Sequence, residues 1–231
     1  MKNESKDTKN QNINLVSFIH SSNENCMSIV GRSLKNGKIL RVIDEELKLP
    51  VIELTGSDSE GNTIFWPQSI DKSLDLSNEL QYLYLYIKNI GKPFTFQYSG
   101  LDNKDRILRF KFSTATSVSK TFGSLYMTGL KLDNGWNKIV VDIINLAENT
   151  FDAKQFKMIR MQICSSIVIR KVFLCNKNLT DEELSTMPSF WIDSKISEID
   201  FPKIINYDNN KLDSESNEYI NNENEMKISN N

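Results

Sequence analysis

The sequence predicts an all-β protein: an antiparallel β-sandwich followed by one short C-terminal helix. Three observations lead there. Apolar and polar residues alternate with period two along most of the body. β-Branched and aromatic residues fill those runs. Gly, Pro, Asn and Asp interrupt them at short intervals.

Taken in order, strands are expected over residues 38–44, 51–55, 63–66, 81–90, 94–99, 106–113, 125–132, 136–146, 157–164 and 168–175. About ten short strands at such spacing suit a sandwich or barrel. The alternation places Leu108, Phe110 and Phe112 on one face, and Ile107, Arg109 and Lys111 on the other. It sets Ile159, Met161 and Ile163 against Met158, Arg160 and Gln162 in the same way. Asp133-Asn134-Gly135 is a hairpin signal, since Asn and Gly tolerate positive φ. Gly91-Lys92-Pro93 breaks the chain between two strong strands, and residues 101–105 form a polar turn. Thr180-Asp181-Glu182-Glu183 fits a capping box, and Pro188 limits the helix it opens to one or two turns. Residues 73–79 read equally as loop or helical turn.

Residues 1–12 and 193–231 are too polar to offset the entropy of ordering and are expected to be flexible. The sandwich domain is thus bounded at residues 13–192. The body, residues 31–192, carries 21 basic and 18 acidic groups, whereas residues 193–231 carry four basic and nine acidic. A net of +3 on the body is too small to indicate nucleic acid. It does permit a local basic patch facing an acidic protein surface.

Cys26, Cys164 and Cys175 make an odd set with no C-x-x-C pair, which excludes a fully paired disulfide framework and fits a reducing compartment. No run reaches the roughly 18 apolar residues of a membrane helix. The polar N-terminus lacks the apolar region of a secretory signal. Phosphate-loop, dinucleotide and nucleophile-elbow motifs are missing. His20 is the one histidine, expected at a surface or strand edge, so it is the only base open to a Ser or Cys nucleophile. Glu53 and Asp142 could supply a carboxylate pair, but acids on solvated strand faces explain them better. No metal site, cofactor or catalytic residue is therefore expected.

Two features are candidate binding surfaces. Tyr82, Tyr84 and Tyr86 share a strand face and are followed by Phe94, Phe96 and Tyr98, a row suited to stacking on sugars or bases. Because Leu83, Leu85 and Ile87 fill the opposite face, packing or an intermolecular contact is the better account. The second feature is the basic set Arg109, Lys111, Arg160, Arg170 and Lys171, a candidate patch for an acidic partner.

Several collinear segments resemble the cilia- and flagella-associated protein twenty family. They are Lys35-Asn36-Gly37-Lys38-Ile39-Leu40-Arg41-Val42-Ile43-Asp44, Ile87-Lys88-Asn89-Ile90, Phe94-Thr95-Phe96 and Leu101-Asp102-Asn103-Lys104. Leu132-Asp133-Asn134-Gly135-Trp136-Asn137, Ile159-Arg160-Met161-Gln162-Ile163, Ile169-Arg170-Lys171-Val172-Phe173 and Asp181-Glu182-Glu183-Leu184 continue the series. The chain departs from the family in its near-neutral charge, its acidic Asn-rich tail and a thinned arginine cluster at residues 106–111, as a divergent paralogue would. The resemblance implies a jelly roll shaped like a carbohydrate-binding module, without catalysis. It implies a structural place in the axoneme of the cilium or flagellum, at the inner junction of the doublet microtubule. Tubulin and neighbouring junction proteins would be the partners, with no nucleic acid and no membrane. A ligand- or carbohydrate-binding module, a basal-body or nuclear scaffold and, last, a hydrolase remain as other readings.

Overall fold

The computed structural model describes residues 13–57 and 61–186, together with the backbone of residues 198–200. The early strands are β1 (Leu15–His20), β2 (Gly31–Leu34), β3 (Gly37–Ile43), β4 (Pro50–Gly56), β5 (Asn62–Trp66) and β6 (Lys72–Leu74). Then come β7 (Tyr82–Asn89), β8 (Thr95–Asp102), β9 (Ile107–Ser113), β10 (Lys120–Phe122), β11 (Leu125–Gly129) and β12 (Gly135–Asp142). Helix α1 (Ile143–Phe151) precedes β13 (Phe156–Cys164) and β14 (Ile167–Cys175); α2 (Asp181–Thr186) and β15 (Glu198–Asp200) follow.

The strands form two facing sheets. The first runs β12-β7-β14-β4-β3, with β1 also paired to β14. The second runs β10-β11-β9-β8-β13-β5-β2, and β15 and β6 form a separate two-stranded pair. Pairing is antiparallel except between β11 and β9, which run parallel. The core lies between the sheets. Ile52, Leu83, Leu85, Ile87, Ile169 and Val172 of the first sheet meet Trp66, Phe96, Tyr98, Phe110, Met161 and Ile163 of the second. The sandwich expected from the period-two pattern is therefore present, because that pattern gives each sheet one apolar face to bury.

Three motifs act as switches between sheets. Asn36, at φ 61°, and Gly37 carry the chain from β2 in the second sheet to β3 in the first. Glycine is required there because a Cβ on Gly37 would collide with the buried Asn62 amide, whose Oδ1 accepts the Lys35 N–H at 2.8 Å. Asp133-Asn134-Gly135 is a turn with Gly135 at φ 81°, but not a hairpin: β11 and β12 lie in different sheets. Asn137 secures it, accepting the Asp133 N–H at 2.9 Å and donating to the Asp133 and Gly135 carbonyls at 2.9 and 2.8 Å. Gly91, at φ 72°, opens the third crossing, from β7 to β8.

The turn between β8 and β9 is organised by Asp102, whose carboxylate is buried. It accepts the N–H groups of Lys104 and Arg106 at 2.9 and 2.8 Å and the Arg106 Nε–H at 2.6 Å. Burial alone would raise the acid's pKa; the Arg106 amide and guanidinium outweigh it and hold the carboxyl below its ordinary range. Asp102→Asn is expected to cost about 2 kcal/mol, because two amides and a charged donor lose their anionic acceptor. A denaturant midpoint within error of the parent's would refute that account.

Helix α1 corrects the strand expected to run to residue 146. The Asp142 carboxylate accepts the Asn145 N–H at 2.9 Å and caps a helix that buries Ile143 and Ala147. Asp152, left-handed at φ 53°, ends it. The single helix expected after β14 is present as α2, with the capping box as read: Glu183 N–H donates to Thr180 Oγ1 at 3.2 Å, and Thr180 N–H to Glu183 Oε2 at 2.9 Å. The protein thus has two helices among its described residues, not one. A second correction falls in β13, where a bulge between Met158 and Arg160 shifts the register. Met158 therefore joins the core with Met161 and Ile163.

Both extensions expected to be flexible lie outside the described residues, apart from β15. That strand pairs antiparallel with β6, Asp200 opposite Lys72.

Candidate functional site

The register of the second sheet settles where the basic residues stand. Directly paired residues share a face. One outward row reads Lys120, Met127, Lys111, Gln97, Gln162, Phe65, and the next reads Leu125, Arg109, Ser99, Arg160. None of these residues is acidic. Arg109, Lys111 and Arg160 therefore belong to one basic face, as their alternation in the sequence implies. Gln97, Ser99, Arg109, Arg160 and Gln162 line a shallow depression upon it.

Arg160 also has a structural task. Its Nη2 donates to the carbonyls of Ile70 and Lys72, which fixes the segment entering β6 against the sheet. Burial lowers its pKa while Asp71 on that segment pulls it back up. Lys157, three residues earlier on β13, pairs with Asp75 at 3.0 Å.

Arg170 and Lys171 are not part of this face. They lie on β14 in the first sheet, so the five-residue basic set divides into two groups. Arg170 is 7% exposed and bonded to Ser21, Ser22 and the Pro50 carbonyl, a buried seam residue rather than a surface contact. Reversing its charge would set a carboxylate against a carbonyl, so an Arg170 and Lys171 charge reversal tests the fold as much as any binding. The β14 bulge between Ile169 and Lys171 that turns Arg170 inward leaves no mark in the sequence pattern.

His20 is the second displaced candidate. It is buried at the end of β1, opposite Lys171, rather than at a surface. Burial, followed by the charges of Lys171 and Arg170, lowers its pKa to about 4. No carboxylate, serine hydroxyl or thiol is hydrogen-bonded to either ring nitrogen. Asp142 serves as the α1 cap and accepts the Gln81 amide at 3.0 Å from both oxygens. These acids lie on different elements, Glu53 on β4 and Asp142 at the end of β12. Among the described residues no three His, Cys, Asp or Glu side chains converge as metal ligands. No helix among them is long and apolar enough to cross a membrane.

The tyrosine row packs as expected for a strand covered on both faces. Tyr84 is buried beneath residues 176–184, stacked on Phe173 at 4.7 Å. Its hydroxyl donates to Asn178 Oδ1 at 2.9 Å and accepts the Leu179 N–H at 2.7 Å. Tyr86 stacks on the same Phe173, and Phe94, Phe96 and Tyr98 lie in the main core. The three cysteines are free and buried. Burial pushes the Cys175 thiol up to about 11, so it is a packed hydrophobe rather than a nucleophile.

The segments that carry the family resemblance thus have structural reasons: sheet-switching turns, the Asp102 turn, the β14 seam and the α2 capping box. A family profile for the CFA20 domain matches residues 6–190, which include every strand of both sheets. The chain belongs to the CFA20-domain family. Among relatives, it is 27% identical to "Cilia- and flagella-associated protein 20" of Paramecium tetraurelia, over 73% of this chain and 87% of that one. The proteins of the same name from Caenorhabditis elegans and Chlamydomonas reinhardtii are each 26% identical, over 74% and 73% of this chain and 83% and 88% of theirs. These relatives are named for cilia and flagella. Among solved structures, the family 30 carbohydrate-binding module of a Clostridium thermocellum cellulosomal cellulase aligns with a TM-score of 0.39 and 13% identity, over 72% of this chain and 99% of that one.

Proposed function

We propose that this CFA20-domain chain is a structural, non-catalytic component of the ciliary or flagellar axoneme. It binds doublet microtubules at the inner junction between the A- and B-tubules, with tubulin and neighbouring junction proteins as partners. The observation that carries the reading is the outward face of the second sheet, where Lys120, Lys111, Arg109 and Arg160 share two rows with no acid between them. A rigid sheet bearing fixed cations suits an acidic protein lattice, where electrostatic complementarity sets register and encounter rate. Repetition along a filament multiplies weak contacts through effective concentration. The names of the relatives support the ciliary setting.

The test pairs localisation with charge reversal. The tagged parent protein is expected along detergent-extracted axonemes, and a folded Arg109→Glu, Lys111→Glu variant is expected to be lost from them. In co-sedimentation with purified microtubules the variant's affinity falls about tenfold or more, and the parent's affinity weakens as salt rises. Full retention of the folded variant would remove this face from the interaction. A diffuse, extractable parent protein would defeat the axonemal role itself.

A further inference from the structure

We propose that the seam where β1 and β4 meet along β14 is an oxyanion-binding site. Arg41, Arg170 and Lys171 form it beside the buried imidazole of His20, and its ligand is a carboxylate or phosphate group.

The seam follows from the pairing. One edge of β14 is shared by two strands: β4 pairs with Ile167, Val168 and Ile169, and β1 with residues 171–175. Arg170 falls between the two ladders, and its guanidinium turns into the gap. Nη1 donates to Ser21 Oγ at 2.7 Å and to the Pro50 carbonyl at 3.2 Å, and Nη2 donates to Ser22 Oγ at 2.8 Å. Arg41 reaches the same two serines from β3. Its Nε donates to the Ser21 carbonyl at 3.0 Å and its Nη2 to the Ser22 carbonyl at 3.4 Å. Two guanidinium groups are thus fixed around one pair of serines, and Lys171 is the next residue on β14.

Every partner in this arrangement is neutral. Among the described residues no carboxylate is paired with Arg41, Arg170 or Lys171. Their mutual effect is repulsive: burial and then Arg41 lower the Arg170 pKa, and burial and then Arg170 lower that of Lys171. Three cations gathered in a partly desolvated seam are a standing electrostatic cost that an anion would relieve. Fixed guanidinium forks present donors in the geometry that carboxylate and phosphate oxygens match.

His20 is the independent second observation. It lies directly opposite Lys171, is 3% exposed, and has no other residue hydrogen-bonded to either ring nitrogen. A buried imidazole that no other residue engages, set against cations without an anion, is the complement of an oxyanion.

His20 is also the chain's only histidine, which makes it a reporter of the site. The full-length protein is titrated with inorganic phosphate and, separately, with a short glutamate-rich peptide, while the His20 ring signals are followed by NMR. At least one probe is expected to shift those signals saturably and to raise the pH at which the ring titrates. Arg41→Gln, on an exposed side chain held only by two carbonyls, is expected to weaken that probe about tenfold with an unchanged near-ultraviolet dichroism spectrum. Lys171→Gln is a second, separate variant with the same expectation. Phosphate alone acting would identify a phosphate-bearing ligand, and the peptide alone a carboxylate. No shift with either probe, or shifts of equal affinity in both folded variants, would overturn the site. The inference does not rest on the axonemal reading, which depends on the opposite sheet, so either can fail without the other.

Discussion

Phe110→Ala is expected to remove about 3–5 kcal/mol of stability, the largest loss of any substitution considered for this fold. Phe110 has no solvent exposure, and aromatic rings surround it. Tyr98 stacks on it at 5.0 Å, while Phe156, Phe151 and Tyr126 meet it edge-on at 5.4, 5.6 and 6.2 Å. These rings come from β8, β13, α1 and β11, so one side chain joins three strands of the second sheet to the helix that leaves the first. Alanine deletes the ring's burial and leaves a cavity that four fixed rings cannot collapse to fill. A domain of this size is stable by only about 5–15 kcal/mol, so the variant is expected to approach the threshold of folding. Ile43→Ala is the control: on the edge strand β3 and 62% exposed, it is expected to change stability by no more than about 0.5 kcal/mol. Chemical denaturation of both variants checks the pair. A Phe110→Ala loss below about 1 kcal/mol would mean that the ring cluster is not the centre of the core.

The same residue shows how much of the fold was legible. Phe110 alternates with Arg109 and Lys111, and that alternation alone assigns it inward and them outward. Wherever period two runs unbroken, in β7, β8 and β9, the sequence pattern and the sheet faces agree. The failures sit where local hydrogen bonding overrides the pattern. Residues 143–146 are as apolar as a strand, but the Asp142 carboxylate captures the Asn145 amide and starts a helix. An Asp followed three residues later by a capped amide was the signal available, weaker than the Thr180 box because no acid at the third helical position answers it.

The candidate site was legible to the same extent. Arg109, Lys111 and Arg160 come together because regular register delivers them. Arg170 and Lys171 separate from them because they belong to another sheet, and Arg170 turns inward because a bulge lies beside it. Bulges have no fixed sequence signature. The burial of His20 was hidden for a related reason. It depends on β1 pairing with β14, a contact between residues about 150 apart that no local pattern encodes.

That burial makes stability depend on mildly acidic pH. The ordinary histidine pKa is 6.5, and in the fold His20 is lowered to about 4 by burial and by the charges of Lys171 and Arg170. The sign follows from which state binds the proton. Between these two values the unfolded chain is protonated at His20 and the folded chain is not, so protons favour unfolding. The contribution is complete above pH 6.5, declines as pH falls through the window, and levels off below about 4. A shift of this size corresponds to roughly 3 kcal/mol. Tyr86, which faces the same row across Lys171, stays neutral throughout because its pKa is pushed up to about 12. Asp44 and Asp102 are held below the ordinary carboxylate range, so their stabilisation is lost only at lower pH and does not overlap the upper window. Urea denaturation from pH 7.5 to 4.5 in a buffer free of phosphate is expected to show this decline, and His20→Asn is expected to flatten it. An equal slope in that variant would assign the effect to other groups. Phosphate or acidic peptide, if bound at the seam, is expected to reduce the slope in the parent protein alone. An anion beside His20 favours the imidazolium in the folded state and so narrows the gap between the two pKa values.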